Sequence, residues 1–100
     1  MSDKTILIVG TYDTKNDELS FVSECIRQQG GKVISMDVSV LGEPREACDI
    51  SKHEVAAAAK STIEAAIDSR DENLAMQIMS RGASTLASRL NADNQIDGVI

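Results

Sequence analysis

The stretch Ile6-Leu7-Ile8-Val9-Gly10-Thr11-Tyr12-Asp13-Thr14-Lys15 decides how this chain is read. Consecutive apolar residues, most of them β-branched, suit a short strand buried on both faces, as in a parallel sheet. Such a strand needs helices to cover it. Gly10 brings no side chain to the strand end, so a ligand is expected to approach the main chain there. Thr11 and Thr14 add hydroxyls, and Lys15 adds a flexible positive charge. The segment after Lys15 reads as a helix, whose free N–H groups and positive dipole end would face whatever sits over Gly10. Anions, phosphate above all, favour that position. The alternative is a strand-to-helix turn that uses Gly and Thr for geometry alone.

Working outward, Leu19, Val22, Cys25 and Ile26 recur at helical spacing between Asn16 and Gln29, with Asp17 and Glu18 in the first turn, where acids are favoured. Gly30-Gly31 ends that helix. Lys32-Val33-Ile34-Ser35-Met36-Asp37-Val38 then resumes β-type residues, so strand, helix and strand occupy about 34 residues, the length of a βαβ unit. Asp37 falls near the end of the second strand, where dinucleotide-binding folds set an acid against a ribose, although the first turn lacks GxGxxG. An acid there also serves as a plain turn former.

Ser39 to Ile50, with Gly42 and Pro44, reads as an ordered loop leaving the strand end, a position that commonly carries function. Cys48 has no base fixed beside it by sequence, which disfavours a nucleophilic role. Ser51-Lys52-His53-Glu54 fits a capping box at the start of a short alanine-rich helix. His53 is the only histidine, which excludes a multi-histidine metal site, and it reads as a surface residue. Ser61 to Ile67 reads as a further helical turn or two through Ile63, Ala66 and Ile67, with Ser61-Thr62 as a place where the run could break. Asp68-Ser69-Arg70-Asp71-Glu72 offers a cap for the longest helix, of about 20 residues or roughly 30 Å, with Leu74, Ile78, Ala83, Leu86 and Leu90 on one face. Its small residues, Gly82 among them, would let it lie close against a sheet or partner. The closing residues, to Ile100, have the character of a third strand just beginning.

The expected fold is therefore α/β, a Rossmann-like three-layer arrangement with a parallel sheet in the order β-α-β-α-α-β. Residues 1–100 would form the N-terminal part of a nucleotide-binding subdomain whose remainder lies beyond Ile100. A chain of 100 residues is one domain at most and buries on the order of 60–70% of its unfolded surface. Sixteen acids against ten bases give a net charge of −6, and only Tyr12 and Phe21 could stack on bases, so nucleic acid is not an expected partner. No apolar run approaches the roughly 20 residues a membrane helix requires. Cys25 and Cys48 lack CxxC spacing and Met1-Ser2-Asp3-Lys4 has no leader pattern, which together predict a cytoplasmic protein.

The run Gly10 to Lys15, followed in order by Glu18-Leu19, Asp37-Val38, Val40-Leu41-Gly42, Asp49-Ile50-Ser51 and Arg81-Gly82-Ala83, resembles the N-terminal part of the tomato mosaic virus resistance protein family, an ATP-binding domain shared with many bacterial proteins. The resemblance implies a Rossmann-like subdomain, a glycine-rich segment directly after the Asp97-Gly98-Val99-Ile100 strand, and a second subdomain beyond. It implies ATP as the ligand, with Gly10, Thr11, Asp13, Thr14 and Lys15 matching the first motif. One departure is Lys15-Asn16-Asp17, where the family pattern has a glycine after the lysine.

Three functions compete. In the first, a nucleotide binds with its phosphates on Gly10 and the following amides, Thr11 or Thr14 adding hydroxyl bonds, Lys15 neutralising charge, Asp13 holding Mg²⁺ directly or through water, and Asp37 facing the ribose or base. GxxxxGK[ST] is missing, so fast hydrolysis is not expected. In the second, an enzyme acts on a small acidic metabolite at the same strand ends, with Asp13 or Asp37 as base and Lys15 as electrophile or phosphate clamp. In the third, the long helix pairs with another subunit and the chain is an oligomerisation or interaction module.

Overall fold

The structure, a computed structural model, describes residues 4–100. The leader reading at Met1-Ser2-Asp3-Lys4 therefore lies, apart from Lys4, outside the described residues. The apolar run forms β1 (Thr5–Gly10), followed by α1 (Asn16–Gln28) and β2 (Lys32–Asp37). β1 and β2 are parallel, in a register running from Thr5 opposite Lys32 to Gly10 opposite Asp37. Then come α2 (Lys52–Ala58), α3 (Ile63–Asp68), α4 (Glu72–Ala92) and β3 (Gly98–Val99). β3 pairs parallel to the other edge of β1, so the strand order is β2-β1-β3.

Alternation along the strands assigns the layers. Leu7 and Met36, both 0% exposed, pack with Val55 of α2, Ile63 of α3 and Ile78 and Met79 of α4. Ile8 points to the opposite face, against Ile26 of α1 and Tyr12. One helix thus covers one side of the sheet and three cover the other. The expected three-layer α/β arrangement with a parallel sheet is what the chain adopts.

Local chemistry sets the helix ends. Ser51 accepts from the Glu54 N–H at 3.2 Å and the Glu54 side chain reaches back to the Ser51 N–H at 3.2 Å, a complete capping box. Asp71 Oδ1 accepts from the N–H groups of Asn73 and Leu74 to start α4. The stretch read as helix from Ser61 starts later than expected. Lys60 turns the chain with φ 60°, and the Thr62 hydroxyl accepts from the Ala65 N–H at 3.0 Å to cap a separate α3. α4 meets α2 at Gly82, where a Cβ would overlap the Val55 carbonyl oxygen. The loop after β2 also has structure that its sequence hid. Ile50 returns to the sheet beside Met36, accepting from the Asp37 N–H at 3.0 Å and donating to Ser35 O at 2.9 Å.

Candidate functional site

With β1 in the centre, the crossover through α1 runs to β2 on one side and the crossover through α2 to α4 runs to β3 on the other. Connections that diverge in this way open a crevice at the carboxyl ends of the strands, where α/β sheets bind ligands. Thr11 to Lys15 is the loop at that point. The Thr11 carbonyl accepts from the N–H groups of Thr14 and Lys15 at 3.2 and 2.9 Å, which forms a tight turn. Thr11, Thr14 and Lys15 are exposed.

α1 begins at Lys15 without a side-chain cap, unlike α2, α3 and α4. Its first-turn amides are therefore free to meet an anion. Asp17 in that turn would oppose one, but its carboxylate pairs with the Arg45 guanidinium at 3.0 Å.

Gly10 does a different job from the one expected. A Cβ built there would lie 2.6 Å from Leu19 Cδ1, so the close approach that glycine permits is made by α1 itself. The side-chain space reserved for a ligand is filled by Leu19.

Asp37 is 1% exposed. Its Oδ1 accepts from the Tyr12 N–H at 3.3 Å, the Ser39 N–H at 2.9 Å and the Ser39 hydroxyl at 2.6 Å, while Oδ2 is buried without a partner. The carboxylate is engaged in holding the β1–α1 loop to the loop after β2, and it does not stand in the crevice with Thr11 and Lys15. Asp13 has a related place. Its Oδ2 accepts from the Gly42 N–H at 3.2 Å, and a Cβ on Gly42 would lie 2.8 Å from that oxygen.

Lys52, which sequence reasoning passed over, completes the arrangement. It is 3% exposed, and its Nζ donates to Val40 O at 3.3 Å and Gly42 O at 2.8 Å and pairs with Glu43 at 2.9 Å. A lysine at the start of a helix reads as a solvated charge, so only the Val40-Leu41-Gly42-Glu43 carbonyl-rich turn nearby could have signalled its partners.

A cleft of about 380 Å³ opens beside Thr11, walled by Val9, Val38, Val40, Met76, Met79 and Ala83. Ser80 and Ser84 of α4 add hydroxyls to it. Its walls are mainly apolar, and Thr11 belongs both to it and to the β1–α1 loop. Among the described residues no group of three or more His, Cys, Asp or Glu side chains is placed to hold a metal ion. His53 is exposed and both cysteines are free thiols. No helix among the described residues is long and apolar enough to cross a membrane.

Fold and edge together define a doubly wound parallel α/β domain with its loops gathered at the carboxyl ends of the strands. The chain belongs to the uncharacterised protein family UPF0261, whose N-terminal domain matches residues 4–100. It is 47% identical over 95 residues to a UPF0261 protein of Brucella suis, covering 95% of this chain and 23% of that protein. A UPF0261 protein of Clostridium tetani is 38% identical over 98 residues, covering 98% of this chain and 24% of the relative. One from Rhizobium meliloti is 32% identical over 97 residues, again covering 23% of its own length. The chain thus spans about a quarter of the length of these relatives. No solved structure matches it.

This membership overturns the expected place in the tomato mosaic virus resistance protein family. Short Gly-Thr turns at the end of a buried strand serve the turn's own geometry, as Gly10 against Leu19 does, so they carry a family name poorly. ATP binding loses the support drawn from that resemblance and stands on geometry alone.

Proposed function

We propose that this domain binds a nucleotide at the carboxyl edge of its sheet, with the phosphates on the Thr11–Lys15 loop and the uncapped start of α1. The observation that carries the reading is the position of Thr11, shared between that loop and the apolar cleft of about 380 Å³. An aromatic base suits apolar walls with a few polar groups, and phosphates suit free helix amides. Lys15 supplies positive charge, and Thr11 and Thr14 supply hydroxyls. Asp37 acts by holding the loops rather than by facing the ribose, and Asp13 ties the β1–α1 loop to Gly42 through one carboxylate oxygen.

ATP is the first nucleotide to test. Mg²⁺ would find one candidate protein ligand here, the second carboxylate oxygen of Asp13, and would take its remaining oxygens from phosphate and water, as this ion ordinarily does. In a thermal-shift assay ATP or ADP with Mg²⁺ raises the melting temperature, and Lys15→Ala reduces the shift. If neither nucleotide moves the melting temperature, the reading fails. Reduced, free Cys25 and Cys48 support a cytoplasmic location, which cell fractionation tests.

The interaction reading has one observation of its own. Leu41, Met76 and Ile67 are 81, 68 and 41% exposed around an apolar groove of about 350 Å³ between α3 and α4. A concentration-independent monomer by light scattering removes it.

A further inference from the structure

The face of the sheet covered by α1 carries a second cavity, separate from the cleft beside Thr11. Asn16, Ser20, Ser23 and Arg27 recur at helical spacing and form a polar stripe along α1, next to the apolar residues Leu19, Val22 and Ile26 that pack on the sheet. The segment from Glu46 to Asp49 lies across this stripe. Arg45 ties it to Asp17 at 3.0 Å. At its other end the Ser35 N–H and hydroxyl donate to Asp49 Oδ2 at 2.9 and 3.2 Å, and the Asp49 N–H donates to Ser35 Oγ at 2.9 Å. The wall is therefore anchored at both ends, and it encloses a polar cavity of about 180 Å³.

Tyr12 lines this cavity. The residue is 5% exposed, and its hydroxyl is buried with no hydrogen-bond partner. Buried tyrosine hydroxyls ordinarily have one. Burial pushes the phenol up to about 12, so the group remains a donor at neutral pH.

Charges of opposite sign line the two facing walls of the cavity. Arg27 lies on α1, while Glu46 and Asp49 lie on the segment across from it. A purely anionic ligand would meet Glu46 and Asp49, and a purely cationic one would meet Arg27. A small molecule carrying both charges matches both walls.

We propose that this cavity binds a zwitterion of free-amino-acid size, its carboxylate held by Arg27 and the Tyr12 hydroxyl and its ammonium directed to Glu46 and Asp49. The inference does not rest on the nucleotide reading, since the cavity lies on the face of the sheet opposite the cleft beside Thr11, and the two readings share only the border residues Tyr12 and Asn16.

The test is isothermal titration calorimetry on the intact polypeptide with each proteinogenic amino acid in turn, and with acetate and methylammonium as half-ligand probes. At least one amino acid binds with millimolar or better affinity, and neither half-ligand matches it. Arg27→Leu, at an exposed position, keeps the far-ultraviolet dichroism and abolishes binding, and Tyr12→Phe weakens it about tenfold. Absence of binding by every amino acid overturns the proposal. So does undiminished affinity in Arg27→Leu or Tyr12→Phe, which would leave the orphan hydroxyl to water.

Discussion

Asp13 Oδ2 accepts a hydrogen bond from the Gly42 N–H at 3.2 Å, joining the loop that follows β1 to the loop that follows β2. The two loops border the cleft beside Thr11, so this bond fixes one flank of the candidate site. Asp13→Ala is expected to cost about 1 kcal/mol in urea denaturation, as one partly buried hydrogen bond does. Gly42→Ala forces the same pair apart, because its Cβ would stand 2.8 Å from Asp13 Cβ. An Asp13→Ala variant with unchanged stability and unchanged nucleotide affinity would remove Asp13 from the account.

The buried carboxylate of Asp37 is expected to matter more. Asp37→Ala leaves the Tyr12 and Ser39 donors without their acceptor, a loss of about 3 kcal/mol. Equilibrium unfolding measures it directly. A loss of affinity without a loss of stability would instead return Asp37 to a direct ligand role.

At the crossing of α2 and α4, Gly82→Val is expected to destabilise by about 3 kcal/mol or more, since the added carbons meet the Val55 backbone rather than a side chain that can turn away. Calorimetry of the variant against Ser84→Val, at an exposed position on the same helix, separates this overlap from β-branching itself.

Two groups predict pH dependence of opposite sense. The side chain of Lys52 bonds to Glu43 and holds its carboxyl below the usual value of 4.5. A depressed carboxyl contributes stability above its unfolded value and loses it as pH falls through its folded value. The stability advantage of wild type over Glu43→Gln therefore shrinks below about pH 4.5. Burial, with Cys48, Asp49 and Asp37 adding repulsion, raises Tyr12 from 10.0 to about 12. Its contribution is intact below pH 10.0 and is lost as pH rises towards about 12. Tyr12→Phe abolishes that alkaline loss, which unfolding monitored by far-ultraviolet dichroism across the range detects.

Much of the architecture was legible because it is written in local patterns. Ile6 to Val9, the stripe of Leu19, Val22 and Ile26, and the resumption at Lys32 specify the βαβ unit and its parallel sheet, since burial on both faces needs a continuous apolar run. The capping box at Ser51 was equally plain. What escaped depends on contacts between residues distant in sequence. The bridge at Ile50 is a single residue with no periodicity to read. Ser61-Thr62 left helix and break both open, because the Thr62 hydroxyl works as a cap only once Lys60 has turned the chain. Lys52 drew no reading of its own, since nothing local announces the carbonyls of Val40 and Gly42. The need for Gly10 comes from Leu19, a turn further along α1. Thr11, Thr14 and Lys15 could be grouped from sequence because one short loop carries them, whereas Ser80 and Ser84 come beside Thr11 only through the packing of α4.

The central claim, a nucleotide at the start of α1, is tested most directly by amide hydrogen exchange on the intact polypeptide with and without ATP and Mg²⁺. The account predicts slowed exchange at the amides of Asn16, Asp17 and Glu18 and in the Thr11–Lys15 loop, with the slowing lost in Lys15→Ala. Unchanged exchange at those amides under saturating ATP, or protection confined to another edge of the sheet, would contradict it.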